Sequence, residues 1–449
     1  MKIVHLAKSD LQGGAARAAY RLHKGLQSVG HESLMLVASK ISDDPSVIAA
    51  SRPMDLMSRL SRGLREYRIA QDFRHYEKSR PDGYELFSDD RTEYASSLYG
   101  QIPTCDIINL HWVSGLLSYR AFFAHLPQSI PVVWTLHDMN PFTGGCHYSL
   151  GCKRHLDHCG ACPQLGSDDE SDLSYQVWRR KKGSLSSLSP SRLHVVTPSR
   201  WLAGEASRSA ILGKFPVTVI PNGLNVHDFV PQDRSGIRDL LGIPRDAKVV
   251  LFVSELMDSR RKGFTLLAEA LSRLAGLVPK LSLVSLGRNK PLMRLEMPWL
   301  HLGSLDNDRF LSLVYSVADL FVISSLEDNL PNTVLEAMAC GIPAVGVRVG
   351  GIPDMIRDGL NGLTVPADPG SFCTAVCDLL DGTEKRAAMS NMCRRIAVEE
   401  YSLELQAKRY SEVYEKLIGD TIGANEARLA ADQTNVQAPS AQVVTDLQT

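Results

Sequence analysis

The sequence predicts an α/β protein built on parallel sheets, and three observations predict it. Residues 318–347 read ADLFVISSLEDNLPNTVLEAMACGIPAVGV. There a short apolar run at 320–324 suits a buried strand and a polar loop broken by Pro331 follows. Helix formers at 333–340 stop at Gly341, and 342–347 are apolar again. Strand, loop, helix and strand make a βαβ unit. Residues 2–37 repeat the pattern: a strand at 2–6, Gly13-Gly14, a helix over about 15–29, Gly30, and a strand at 32–37. The third observation is length: 449 residues are enough for about two or three domains.

Composition narrows the function classes. The chain is 44% hydrophobic with a net charge of −1, ordinary for a soluble globular protein and unlike a nucleic-acid binder. No uncharged apolar run reaches the ~18 residues of a membrane span. The opening MKIVHLAKSD is too short an apolar run for a signal peptide and reads as a first strand. A cytoplasmic location is therefore expected, where structural disulfides are uncommon.

Between the two βαβ units the strands continue at 106–110, 130–136 and 194–197, the last followed by Ser199 as a helix N-cap. Strands at 217–220, 249–254, 281–286 and 300–302 come next, and Asp306-Asn307 caps a helix. An amphipathic helix is expected over about 401–418. From about 421 the chain is poor in large apolar residues and is expected to be a disordered tail.

Polar residues just past strand ends are where open parallel sheets place chemistry. His111-Trp112 and His137-Asp138 sit there, as do Glu327 and Asp328. Glu336 has two readings. In one, Thr333 to Glu336 form a capping box, the carboxylate reaching back to the Thr333 N–H. In the other, the carboxylate accepts hydrogen bonds from sugar hydroxyls of a nucleotide. The start of the helix at 333 offers N–H groups and partial positive charge suited to phosphate.

Two further segments stand apart. In a helix expected over about 55–80, Arg59, Arg62, Arg65 and Arg68 recur among Leu56, Met57, Leu60, Leu64 and Ile69. Such a helix either packs on its own domain or meets anionic lipid or a lipid-linked acceptor. Cys146, Cys152, Cys159 and Cys162 form C-x5-C-x6-C-x2-C. The spacing suits a closed structural zinc site, with free thiols or disulfides as alternatives.

The stretch from Asp328 through Glu336, Ala-Met-Ala-Cys-Gly and Pro343 resembles the retaining glycosyltransferases of family GT4. Gly13-Gly14, His137, Pro221-Asn222-Gly223, Phe229 and Lys262-Gly263 extend that resemblance over most of residues 1–415. The usual Gly-Phe-Gly after the first acid is replaced by Asn329-Leu330-Pro331, and Glu327 is one residue out of register. The resemblance implies the GT-B fold: two Rossmann-like domains facing a cleft, with a last helix crossing back to the first. It divides the chain into an acceptor domain (1–215), a nucleotide-sugar domain (216–400), the returning helix (401–420) and the tail (421–449).

It also implies transfer of a sugar from a UDP- or GDP-linked donor to a hydroxyl, with retention. The acceptor it implies is a glycan or lipid-linked glycan in bacterial-type surface polysaccharide assembly, at the inner face of the membrane. No catalytic metal or organic cofactor is implied. The implied roles are Glu336 on the ribose, the amides of Asn329, Leu330, Asn332, Thr333 and Val334 with Lys262 and Arg261 (or Arg260) on phosphate, Asp328 and His137 near the transferred sugar, and Gly13 and Gly14 where the loop approaches the cleft. No side-chain general base is implied, since the donor phosphate helps deprotonate the acceptor. Other readings are a sugar-nucleotide epimerase on the same fold and a non-catalytic scaffold of a polysaccharide-assembly complex.

Overall fold

The computed structural model describes residues 1–84, 86–92 and 94–436. Thirteen strands are found among them, in two sheets. The first holds β1 (Lys2–Ser9), β2 (Glu32–Ser39), β3 (Val47–Ala49), β4 (Ile107–Leu110), β5 (Val132–Thr135), β6 (Leu193–Thr197) and β7 (Val217–Val219), in the order β3-β2-β1-β4-β5-β6-β7. The second holds β8 (Lys248–Leu256), β9 (Leu281–Arg288), β10 (Trp299–His301), β11 (Leu320–Ile323), β12 (Ala344–Val347) and β13 (Gly362–Val365), in the order β10-β9-β8-β11-β12-β13. Every pairing of named strands is parallel.

Parallel strands need both faces covered, so the central ones are apolar throughout. β4, β5, β11 and β12 are buried along their whole length. Trp134 of β5 packs among Tyr119, Phe122 and Leu185 on one face of the first sheet. On one face of the second sheet, Phe321 packs with Tyr315, Val334 and Met338. Each such side chain, once fully buried, contributes about 1.5–3 kcal/mol. The two Rossmann-like sheets and their helices thus have separate cores, the layered arrangement that the two βαβ patterns predict.

Two outcomes differ from the sequence expectations. β7 pairs with β6, so the first sheet runs to Val219 rather than ending at 215. The C-terminal helix, Leu403–Val436, continues past 421, where Ala, Glu, Arg and Gln are good helix formers whatever their polarity. The rest of the expected tail, 437–449, lies outside the described residues. The near part of that helix does return to the first domain. Tyr410 and Tyr414 are buried against Ile3, Leu22 and Ile107. Their hydroxyls meet Thr135 Oγ1 at 3.0 Å and the Asn109 amide at 2.7 Å. Among the described residues, no helix is long and apolar enough to cross a membrane.

Candidate functional site

In each sheet the strand order turns back beside the first strand: β1 next to β4, and β8 next to β11. Crevices at the carboxyl ends of such strands are where open α/β sheets bind ligands. The loops leaving β1, β4 and β5 face those leaving β8 and β11 across a cavity of about 590 Å³.

The second-domain wall carries the charge. The 3-10 turn Arg260–Lys262 follows β8 and ends in Gly263, whose φ is +65°. A Cβ there would lie 1.9 Å from the Ser324 carbonyl, so glycine lets this turn press against the end of β11. The turn sets Lys262 Nζ 2.7 Å and Arg261 Nη1 3.2 Å from Asp328 Oδ2, and Ser325 Oγ donates to the same oxygen at 3.1 Å. Burial alone would raise the Asp328 pKa, but the attraction of Lys262 and Arg261 and these hydrogen bonds hold it well below the usual range. Arg261 also stacks on Tyr148 at 3.9 Å and donates to the Glu327 carbonyl at 2.8 Å. Arg260 turns away, over the Tyr84 ring.

Adjacent acids take different parts. The Glu327 carboxylate accepts from the Leu150 N–H and from Ser149 Oγ, in the cysteine loop of the first domain. It is a tie between domains, and burial raises its pKa. Asp328 lines the cavity. The close approach of the Gly350-Gly351 turn fixes this segment: Cβ atoms there would fall 1.9 Å from the Asp328 carbonyl and 1.8 Å from that of Asn329.

The first-domain wall sets buried histidines beside one carboxylate, Asp138. His137 lines the cavity, and its Nε2 meets His111 Nδ1 at 3.1 Å; His111 Nε2 meets His5 Nδ1 at 2.8 Å. Burial pushes His137 down to about 4 and lowers His5 and His111 as well, so all three are uncharged near neutral pH. His5 Nε2 is buried without a partner. A buried orphan N–H is the costlier defect, so the tautomer chain leaves a lone pair there. Each ring then donates to the next, which leaves the proton of His137 on Nδ1. Asp138 beside it is held by Trp112 Nε1 at 2.7 Å and His147 Nδ1 at 2.6 Å.

Of the residues expected at the site, Gly14, Leu330, Asn332 and Thr333 also line the cavity, as does Asn329. Asn329 Nδ2 donates to the His137 carbonyl at 3.0 Å, and Asn332 Nδ2 to that of Gly14 at 3.0 Å. Gly13, with φ +89°, lies just behind, its Cβ position 3.2 Å from Glu255 Oε2. Val334 is a correction. Its side chain is fully buried in the second-domain core, and its N–H bonds the Pro331 carbonyl at 3.0 Å, so neither faces the cavity.

Glu336 forms no capping box: Pro331 stands at the N-cap of helix Asn332–Ala339 and no side chain caps it. The Glu336 carboxylate, absent from the cavity lining, accepts from Arg21 Nη2 at 2.9 Å and from the Tyr315 hydroxyl at 2.8 Å. Burial raises its pKa, against the pull of Arg21. Arg21 also meets Asp308 at 3.1 Å, and Arg17 meets Asp306 at 2.8 Å, so two arginines of one helix clasp the second domain. Arg21, Tyr315 and Tyr148 were not singled out from the sequence. Arg17 and Arg21, four apart in a helix otherwise rich in alanine, are the signal that was there.

The four cysteines surround a second, small cavity. No disulfide joins them, and burial raises the thiols of Cys146, Cys159 and Cys162. Among the described residues, no group of three or more His, Cys, Asp or Glu is gathered to hold a metal ion. The loop has other braces. The buried Lys181 Nζ donates to the Asn140 and Thr143 carbonyls at 2.6 and 3.2 Å, and Asp172 accepts from the Cys162 N–H at 2.8 Å.

Comparison with known proteins agrees with this geometry. Residues 12–228 match the model for Glycosyltransferase Family 4, and 247–382 that for Glycosyl transferases group 1. A D-inositol 3-phosphate glycosyltransferase from Catenulispora acidiphila is 30% identical over 233 residues, 48% of this chain and 54% of that protein. The chain spans about half the length of the curated relatives it matches. Among solved structures, sucrose-phosphate synthase from Thermosynechococcus elongatus superposes with a TM-score of 0.63 at 19% identity, over 94% of this chain and 100% of that one. Anabaena HepE in complex with UDP-glucose gives 0.62 at 17%, over 93% and 100%. These likenesses show the GT-B fold, and the two matched segments contribute the opposite walls of one cavity: the chain belongs to the family 4 glycosyltransferases.

Proposed function

We propose that this glycosyltransferase moves a hexose from a nucleoside diphosphate donor, UDP- or GDP-linked, to a hydroxyl of a glycan or lipid-linked glycan, retaining the anomeric configuration. The observation that carries the reading is the pairing of Lys262 and Arg261 at the cavity, opposite a file of uncharged histidines. Lys262 and Arg261 flank Asp328 at one corner of the cavity, whose lining also holds Glu255, Asp258 and Asp138. Paired cations at that corner suit a leaving diphosphate, whose charge grows in the transition state. Thr333 and Asn332 bring the start of a helix to the same place. A structural neighbour crystallised with UDP-glucose supports a nucleotide-sugar donor.

In this reading Asp328 faces the sugar and orients Lys262, and the His137 Nδ1–H donates to a sugar hydroxyl. Neutral imidazole suits that task, because a cation there would compete with Lys262 and Arg261 for the diphosphate. Glu336 takes the ribose once donor binding draws it from Arg21 and Tyr315. No side chain acts as the base; the departing phosphate oxygen accepts the acceptor proton on the same face.

The test is nucleoside diphosphate release from a panel of nucleotide-sugars, with and without a glycan acceptor, and the anomeric configuration of the product by NMR. Acceptor-dependent release with a retained anomer is expected. An inverted anomer would refute retention; a donor epimerised without acceptor would move the chain to the epimerase reading.

A further inference from the structure

The structure assigns helix Leu56–Arg74 as a docking surface for an anionic phospholipid bilayer. The helix has 19 residues, none of them buried. At 3.6 residues per turn, Leu56, Met57, Leu60, Leu64 and Tyr67 fall within an arc of about 100°. They are 71, 75, 60, 52 and 61% exposed. The opposite arc carries Arg62, Arg65, Ile69, Asp72 and Phe73, all half-buried. That side seats the helix on its domain. Arg65 Nη1 donates to the Thr92 carbonyl at 2.6 Å, Asp72 pairs with Arg91 at 2.6 Å, and the Phe73 ring meets that of Phe87 at 5.9 Å.

The orientation is the reverse of that in an ordinary surface helix, which turns its apolar stripe to the core. Half-burying Arg62 and Arg65 while exposing five large apolar side chains is unfavourable in water. It becomes favourable when an apolar phase covers the stripe. Charge selects the occupant: the helix has five arginines against two acids, Glu66 and Asp72. Arg59 and Arg68, both exposed, flank the stripe on either side. That is the pattern of a helix lying in the bilayer interface, where long cations reach the headgroups and each strengthens binding roughly fivefold.

Position gives the surface a use. The chain leaving this helix forms the cavity rim at Gly83, Tyr84 and Leu86, and Arg260 of the second domain donates its N–H to the Gly83 carbonyl at 3.2 Å. A docked helix therefore brings the cleft mouth to the membrane, where a lipid-linked acceptor is held. That last link rests on the acceptor reading above; the docking does not.

Flotation of the full chain with vesicles tests it, using phosphatidylcholine alone and phosphatidylcholine mixed with phosphatidylglycerol. The chain is expected to float with the anionic vesicles. Leu60→Ser with Leu64→Ser should weaken binding at least about tenfold. Arg59→Ser with Arg68→Ser should weaken it on anionic vesicles only, as added salt does. These side chains are exposed, so folding and nucleotide release with a water-soluble acceptor should be unchanged. Loss of that release in the wild type would count against the catalytic reading and not against docking. Variants that float like the wild type, or a wild type that binds neither vesicle, would overturn the proposal. A dimer in sedimentation velocity dispersed by the leucine pair would overturn it too, giving the stripe to a second copy.

Discussion

The two walls of the cleft come from similar sheets and bury different chemistry. On the first wall, His5, His111 and His137 are buried in a hydrogen-bonded file and kept uncharged. On the second, the buried Asp328 is held well below the usual carboxylate range, because Lys262 and Arg261 stand within about 3 Å of it. Burial is common to both. What differs is whether a counter-charge shares the site. A buried group without one gives up its charge, and a paired group keeps it. The proposed function assigns phosphate to the Lys262–Arg261 wall and sugar hydroxyls to the histidine wall.

The contrast can be broken at four points, in order of expected effect. The walls are clasped by Arg21, so Arg21→Ala strands the buried Glu336 and should lower stability by about 3–5 kcal/mol, read by denaturant unfolding. Restoring balance with Glu336→Gln in the same chain should recover much of that loss; no recovery would show that Arg21 acts by packing alone. Lys262→Ala removes charge from the second wall. Turnover should fall by about 10²–10³ with little change in melting temperature, whereas full activity would transfer the phosphate role to Arg261.

The histidine wall is probed by pH. His137 is held near 4 in the fold and titrates at 6.5 when unperturbed. Below pH 6.5 the unfolded chain takes up the proton and the folded chain does not. Stability should therefore be fully present above 6.5 and fall as pH drops toward 4, by roughly 1.4 kcal/mol per pH unit for this one group. His5 and His111 push in the same direction. Activity of the still-folded enzyme should show no titration near 6.5; an inflection there would mean that His137 is charged in the working site. The smallest effect concerns the loop behind that wall. Cys159→Ala removes the sulfur that accepts the Gly144 N–H at 3.2 Å, a loss of about 1 kcal/mol by thermal unfolding. Elemental analysis should find no stoichiometric metal, and one zinc per chain would show that the four thiols close on an ion.

Local signals in the sequence were enough for the fold. Apolar runs such as 320–323 and 344–347 have one use in a chain of this size, and Gly341, Asn307 and Ser199 mark helix ends by their own chemistry. Of the site, the residues past strand ends were legible for the same reason: His137, Asp328 and Lys262 are placed by the strand or turn that precedes them. Glu336 was not. Its partner Arg21 lies 315 positions away, and only the closed arrangement of two domains brings them together. Glu327 is similar, its carboxylate spent on Leu150 across the cleft. Val334 departs from the expectation because a helix start is not uniformly open: its third residue already turns into the core. In helix Leu56–Arg74 the two faces were visible in the sequence, but which one points outward depends on Thr92 and Phe87, and periodicity carries no such information.

In the proposed function, the Lys262–Arg261 side of the cavity receives a diphosphate. Calorimetric titration of the wild type and Lys262→Ala with UDP, UMP, GDP and GMP tests it directly. The wild type should bind one of the two diphosphates at least about tenfold more tightly than its monophosphate, and Lys262→Ala should erase most of that difference. Equal binding of mono- and diphosphates by the wild type, or an unchanged preference in Lys262→Ala, would contradict the account.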